Sequence, residues 1–298
     1  MQYAPKEPHK KVLLAGVFLA VALMVLLLVY GINRFVIKEN LVLKKPMTLL
    51  LIGTDLNILA PKSQDNPNNL PRTDTLILAF IDPARHKLSL ISIPRDSLVD
   101  IPGHGLDRIN QASVLGGYRL TKKAITVLTG VKVDRYAAIN FDGFKKLIDL
   151  VGGVTINVDK KMRYATEPGR YNIKLDPGPQ ALDGEKALEY VRFRNEPLGD
   201  ISRVERQRQL LLAIYRKILQ SNNLMKTAKL LELGRQYVHT DLTTKEMLQL
   251  SGFANQVNPD KDIVSATLPG KFFEAYWQPD PDKVYKLIKK CQPINPKK

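Results

Sequence analysis

Residues 75–93 read TLILAFIDPARHKLSLISI, two apolar runs, Thr75–Ile81 and Lys87–Ile93, joined by Asp82-Pro83-Ala84-Arg85-His86. Each run has strand length, and the join has the Asp/Pro chemistry of a turn. The stretch predicts an antiparallel hairpin. With the turn centred on 84–85, Ile81 faces Leu88, and counting outward along both strands puts Asp74 opposite Arg95. The hairpin therefore carries charged residues to one end of a sheet.

Working outward, Met47–Gly53 holds the run Leu49-Leu50-Leu51-Ile52 and reads as a strand ending at Gly53-Thr54-Asp55. If that strand runs parallel to the second arm of the hairpin, Asp55 joins the same edge. Helices are expected at 110–129, closed by Gly130, and at 142–151, closed by Gly152-Gly153, with further helices at 183–190, 202–219, 223–238, 244–257 and 282–290. Strands are expected at 136–141, 154–158 and 262–268. Strands alternating with helices indicate an α/β class, a layered α/β/α domain with a mixed central sheet because of the hairpin.

The N-terminus differs in kind. Val12–Tyr30 contains no charged residue, and its nineteen residues make a helix of about 28 Å, close to the thickness of a bilayer core. No A-x-A cleavage site follows, so the run is expected to be a signal-anchor rather than a cleaved signal peptide. The expected organisation is a cytoplasmic tail (1–11), a transmembrane helix (12–30), a stalk (31–46) and one extracytoplasmic domain (47–298), placing the bulk of the chain on the outer face of the cell membrane.

The chain of 298 residues carries a formal charge of +16, from 45 Lys+Arg against 29 Asp+Glu, which points to an anionic partner. Nucleic acid fits poorly, because the arginines lack interleaved stacking aromatics and no nucleic-acid module is present. The single cysteine, Cys291, excludes an internal disulfide, and His9, His86, His104 and His239 have no metal-ligand spacing. Neither G-x-S-x-G nor G-x-x-x-x-G-K-[ST] occurs.

Four segments carry candidate chemistry. Three are the strand ends Gly53-Thr54-Asp55, Arg72-Thr73-Asp74-Thr75 and Ile93-Pro94-Arg95-Asp96. The fourth is Tyr190-Val191-Arg192-Phe193-Arg194-Asn195, followed by Gly199-Asp200-Ile201-Ser202-Arg203-Val204-Glu205-Arg206-Gln207. Arg192 and Arg194, read as extended chain, project to one side. Ser202 and Glu205 form a capping box. Counting back from Leu210, Ile214 and Ile218 puts Arg203 and Gln207 on the core-facing stripe, where a helix N-terminus and guanidinium forks favour an anion.

In order and spacing these segments resemble the LytR-CpsA-Psr family of cell-wall glycopolymer phosphotransferases. Further markers are Arg108-Ile109-Asn110 with Gly116-Gly117, Asp149-Leu150-Val151-Gly152-Gly153-Val154, and Leu182-Asp183-Gly184 with Ala187-Leu188. The resemblance spans roughly residues 46–270. It implies transfer of a glycopolymer from a polyprenyl-pyrophosphate carrier onto peptidoglycan through a phosphodiester, with Mg²⁺, or Mn²⁺ in its place. Carried over by motif, Asp55 and Asp74 are the metal-side carboxylates. Arg72, Arg95, Arg192, Arg194, Arg203 and Gln207 are the pyrophosphate grip. Asp96 and Asp200, beside the arginines, are candidates for the base that activates the acceptor hydroxyl, and Arg95 is a catalytic candidate through the charge it meets. The alternatives are a polyprenyl-pyrophosphate hydrolase, with water as acceptor, and a non-catalytic polyanion-binding regulator.

Overall fold

In the computed structural model the described residues are 43–54, 72–165, 172–193, 236–254, 256–258 and 261–293, with positions 206, 209, 210, 213, 214, 216, 217, 233 and 234. The expected tail, anchor and nearly all of the stalk lie outside them. Among the described residues no helix is long and apolar enough to cross a membrane.

The hairpin is the heart of a six-stranded mixed sheet. Strand β2 (Thr73–Asp82) pairs antiparallel with β3 (Lys87–Ile93), with Ile81 opposite Leu88 and Asp82 opposite Lys87, the register the sequence predicts. Asp82 closes the turn by accepting from the Arg85 amide at 3.2 Å, and His86 takes a left-handed φ of 54° to complete it. Strand β1 (Met47–Thr54) pairs antiparallel with β2, so β1 and β3 run the same way, the condition under which the first strand's end joins the same edge.

The chain next forms a small hairpin, β4 (Leu98–Ile101) with β5 (Gly105–Arg108), then helix α1 (Gln111–Thr129), capped by left-handed Gly130. Strand β6 (Arg135–Asn140) returns to lie parallel to β1. Helix α2 (Phe141–Val151) and strand β7 (Val154–Val158) follow. Strands β8 (Met162–Ala165) and β9 (Asn172–Leu175) pair with each other, and β10 (Gly178–Leu182) pairs with β7. Helix α3 (Gly184–Arg192) packs on α2 so closely that a Cβ at Gly184 would sit 2.3 Å from the Lys145 carbonyl oxygen. Strand β11 (Val238–Thr240) pairs with β6, and helix α4 (Thr244–Ala254) follows it. Strand β12 (Ile263–Thr267) runs parallel to β3. The hairpin β13 (Gly270–Phe273) and β14 (Tyr276–Pro279) and helix α5 (Pro281–Cys291) end the described chain.

The sheet order is β11-β6-β1-β2-β3-β12. Every residue of β1 is buried, so this strand is covered on both faces, which is why it reads as a continuous apolar run rather than an alternation. Phe80, Leu50, Ile52, Leu76, Leu78 and Ile91 are among its fully buried core. Truncating one of these leucines to alanine should cost about 2–5 kcal/mol.

Three expectations are corrected. The helix expected to reach 238 gives way to strand β11 at Val238, a short edge strand that local periodicity does not reveal. Helix α1 is interrupted: Gly117, at φ 67° and ψ −167°, occupies a region essentially reserved for glycine. The arm Tyr190–Arg192 is the last turn of α3 rather than extended chain, because the Phe193 amide still donates to the Glu189 carbonyl at 3.0 Å. The two-residue argument for Arg192 and Arg194 therefore fails.

Candidate functional site

The end of the sheet reached by β1 and β3 is unusual in burying polar side chains. Thr54, Thr73, Ser97 and Ser113 are all fully buried there, with Thr75, Asp96 and Asn110 nearly so. Gly53 pairs with Thr75 and Thr54 with Thr73, so Asp74 is the extra residue of a β-bulge. Bulges recur beside active sites, where they redirect a strand locally.

Helix α1 closes over this edge. The Thr73 amide donates to the Ser113 hydroxyl at 3.1 Å, and that hydroxyl donates to the Asn110 carbonyl at 3.1 Å. The Asn110 amide donates to the Arg95 carbonyl, and the Ile109 amide to the Ser97 carbonyl. The start of β2, the turn after β3 and the start of α1 thus form one hydrogen-bonded unit. The Gly116–Gly117 break follows within two turns, and Tyr118 beyond it meets Thr54. Burial pushes the Tyr118 phenol well above its ordinary range, and the Thr54 hydroxyl beside it offsets only part of that. The side-chain hydroxyls of Thr73, Thr75 and Ser97 are buried with no hydrogen-bond partner among the described residues. Buried hydroxyls normally have one.

Asp96 lies between two arginines. One of its oxygens is 3.8 Å from Arg95 Nε and the other 3.6 Å from Arg108 Nε. The Arg108 guanidinium also donates to the Ala275 carbonyl at 3.3 Å and lies 4.9 Å above the Tyr276 ring. The Trp277 amide donates to the Asp96 carbonyl at 2.9 Å. The β13–β14 hairpin therefore braces the Arg95–Asp96 turn from outside.

A second cluster joins α3 to the helical positions after it. Arg206 is only 3% exposed, donates to the Phe193 carbonyl at 2.9 Å and lies 5.8 Å over the Phe193 ring. The Tyr190 hydroxyl donates to Gln209 Oε1 at 2.7 Å. These contacts tie the C-terminus of α3 to Arg206 and Gln209.

Of the residues the sequence nominates, Arg95 and Asp96 meet in the first cluster, and Arg72 is exposed just before β2. Asp55, Arg194, Asp200, Arg203 and Gln207 lie outside the described residues, as do the side chains of Asp74 and Arg192. Sequence reasoning gives no role to Arg108, Ser113, Tyr118 or Arg206. For Arg206 a signal exists: it stands four residues before Leu210, on the same buried stripe from which Arg203 and Gln207 were counted. Other markers prove to be scaffold. Asp149 accepts from the Gly184 amide at 2.7 Å, joining α2 to α3, and Asp183 caps α3 by accepting from the Lys186 amide.

Among the described residues no group of three or more His, Cys, Asp or Glu side chains is placed to hold a metal. The donors offered by the sheet edge are hard oxygens: the carboxylates of Asp55 and Asp74 by sequence, and the buried Thr73 and Thr75 hydroxyls. That set suits Mg²⁺ or Mn²⁺ and not a thiophilic metal.

The comparisons agree with this architecture. The profile of the LytR_cpsA_psr family matches residues 33–292. A relative named regulatory protein MsrR, from Staphylococcus aureus, is 32% identical over 227 residues, 76% of this chain and 65% of its own length. This chain thus matches just under two thirds of that longer protein. A relative named polyisoprenyl-teichoic acid--peptidoglycan teichoic acid transferase TagU, from Oceanobacillus iheyensis, is 34% identical over 234 residues, 76% of this chain and 68% of its own. The crystal structure of B. subtilis TagV superposes with a TM-score of 0.66 at 27% identity, over 85% of this chain and all of the other. A structure of TagT bound to LI-WTA gives 0.62 at 26% identity, over 83% and 90%. With its mixed central sheet and a match over most of its length, the chain belongs to the LytR-CpsA-Psr family.

Proposed function

We propose that this protein moves a glycopolymer from a polyprenyl-pyrophosphate carrier onto peptidoglycan, forming a phosphodiester, at the outer face of the cytoplasmic membrane. The observation that carries the reading is the sheet edge. The Arg95–Asp96 ion pair, a bulge at Asp74 and buried hydroxyls with no partner among the described residues gather where three strand ends meet. The relative named as a teichoic acid transferase and the TagT structure with LI-WTA bound support the same substrate class.

The chemistry required is modest. An acceptor hydroxyl oxygen attacks the phosphorus that bears the glycopolymer. The new P–O bond forms as the bridging P–O bond breaks, and polyprenyl monophosphate leaves with the electron pair. Negative charge grows on that leaving phosphate, and Arg95, Arg192, Arg194, Arg203 and Gln207 would hold it, with Arg72 at the rim. Asp55 and Asp74 would hold Mg²⁺, which supplies neutralisation of the pyrophosphate oxygens. Asp96, gripped by Arg95 and Arg108, orients the arginine fork. Asp200 is then the stronger candidate to take the acceptor proton. The test is product identity from lipid-linked glycopolymer and peptidoglycan. Acceptor-linked polymer with released polyprenyl monophosphate is expected. Release without linkage would make the protein a hydrolase, and no release would make it a binding protein.

A further inference from the structure

The opposite end of the sheet, where β1 begins, is ringed by lysines. Lys44 and Lys45 lead directly into β1, and both are exposed. Lys87 opens β3 two strands away. Lys261 precedes β12 at the same level, because the Leu88 amide donates to the Asp262 carbonyl at 3.0 Å. Lys132 stands in the loop before β6, whose Asp134 amide donates to the Thr48 carbonyl. Lys289 and Lys290 close α5 beside Cys291, which meets Ser89 near the start of β3. Five neighbouring strands, β6 to β12, thus span about 19 Å at this end, with lysines entering four of them.

The described acids at this end are held by the fold. Asp82 accepts from Arg85, Asp134 from the Thr48 amide, and Asp262 from the Asn258 amide. Asp241 holds Lys122 and the Tyr136 amide, and Glu246 holds Arg135. Each of these described carboxylates has a partner in the fold, while the lysines of the collar are exposed. Val127, in the last turn of α1, adds an exposed apolar side chain at the same end.

We propose that this lysine collar is a docking surface for anionic lipid headgroups, which seats the base of the sheet on the membrane. Two observations select the lipid. The charge complements phosphate headgroups, and the chain enters the collar from its N-terminus, only twelve residues (31–42) after the uncharged Val12–Tyr30 run. Twelve residues reach roughly 40 Å at full extension, so an inserted anchor keeps the collar within reach of the headgroups and raises its effective concentration there. Each lysine close to an anionic leaflet adds roughly a fivefold preference for the docked orientation. The inference rests on the membrane-anchored reading and adds an orientation to it.

The test is amine footprinting by mass spectrometry of the full chain in nanodiscs of neutral phosphatidylcholine and in discs containing anionic phosphatidylglycerol. In the anionic discs Lys87, Lys132, Lys261 and Lys290 should label at least about fivefold more slowly. Lys271, on the hairpin at the far end, should label equally in both. Lys87→Glu combined with Lys261→Glu should abolish the protection of Lys132. Equal labelling of the collar in both discs overturns the docking surface while leaving the anchor intact. A chain that co-elutes with neither disc overturns both. Protection appearing in neutral discs only when a soluble polyphosphate is added would mean that the collar holds a polymer rather than a membrane, and would overturn the proposal.

Discussion

At the end of the sheet where β1 begins, Asp134, Asp241 and Glu246 each accept from a backbone amide or a cation of the fold. At the other end, Thr73, Thr75 and Ser97 bury hydroxyls without a partner among the described residues, and Asp74 interrupts the ladder. Both ends are rich in charge. The first uses its charges to close the structure and leaves lysines outside. The second leaves three buried hydroxyls without a partner among the described residues, which points to a bound partner. Substitutions can break or sharpen this contrast.

The largest effect belongs at the bulge. Asp74→Ala and Asp55→Ala should each lower metal-dependent turnover by roughly 10²-fold or more. Both variants should keep the melting temperature of the parent, since a carboxylate at a strand end does little for packing. Full Mg²⁺-dependent turnover in both would remove the metal assignment. Loss of folding in both would make the carboxylates part of the scaffold.

Next come the arginines. Arg95→Lys and Arg203→Lys keep the charge and lose the bidentate fork, and each should weaken turnover or binding by about tenfold. Arg85→Ala, at the opposite end and half exposed against Asp82, should change nothing measurable. Equal, salt-screened losses at Arg85 and Arg203 would describe a diffuse basic surface.

Arg206 sharpens the comparison through stability. Arg206→Met leaves the Phe193 carbonyl without its charged donor and should cost about 2–3 kcal/mol, read as a lower midpoint in denaturant. An unchanged midpoint would show that this contact does not hold α3 in place.

The smallest effect is at Glu246. Burial alone would raise its carboxyl, but hydrogen bonds from Arg135 and Thr243 outweigh burial and hold it below the ordinary value of 4.5. A depressed folded value contributes stability that is present above that ordinary value and is lost as pH falls through the folded one. Glu246→Gln should therefore flatten the acid limb of the stability profile below about pH 4.5, by less than about 1 kcal/mol, and leave turnover alone. An unchanged acid limb would mean that the pair is solvent-screened.

Much of the sheet was legible because the deciding stretch carries its own register. Asp82 and Pro83 mark the turn, and once Ile81 faces Leu88 the charged ends follow. Strands β4, β5, β8, β9, β10, β11, β13 and β14 were not legible. Each is three to five residues long, too short for a periodic signal, and the small hairpins are held in place by contacts distant in sequence, as Trp277 is by Asp96. The site was half legible. Arg95 and Asp96 stand at a strand end that counting locates. The role of Arg108 depends on a tertiary contact with that turn, and Tyr118 meets Thr54 just after a helix break that periodicity does not reveal. The arginine pair at 192 and 194 misled because alternation was assumed where one more helical turn was present.

The central claim is that the strand-end arginines and those after α3 grip one pyrophosphate. A double-mutant cycle of Arg95→Lys and Arg203→Lys, read as the affinity of the full chain for polyprenyl pyrophosphate in detergent at fixed salt, tests it most directly. One shared site predicts strong coupling, with the double variant differing from the product of the two single losses by at least about threefold. Independent losses that multiply without coupling would place the two arginines at separate sites and contradict the account.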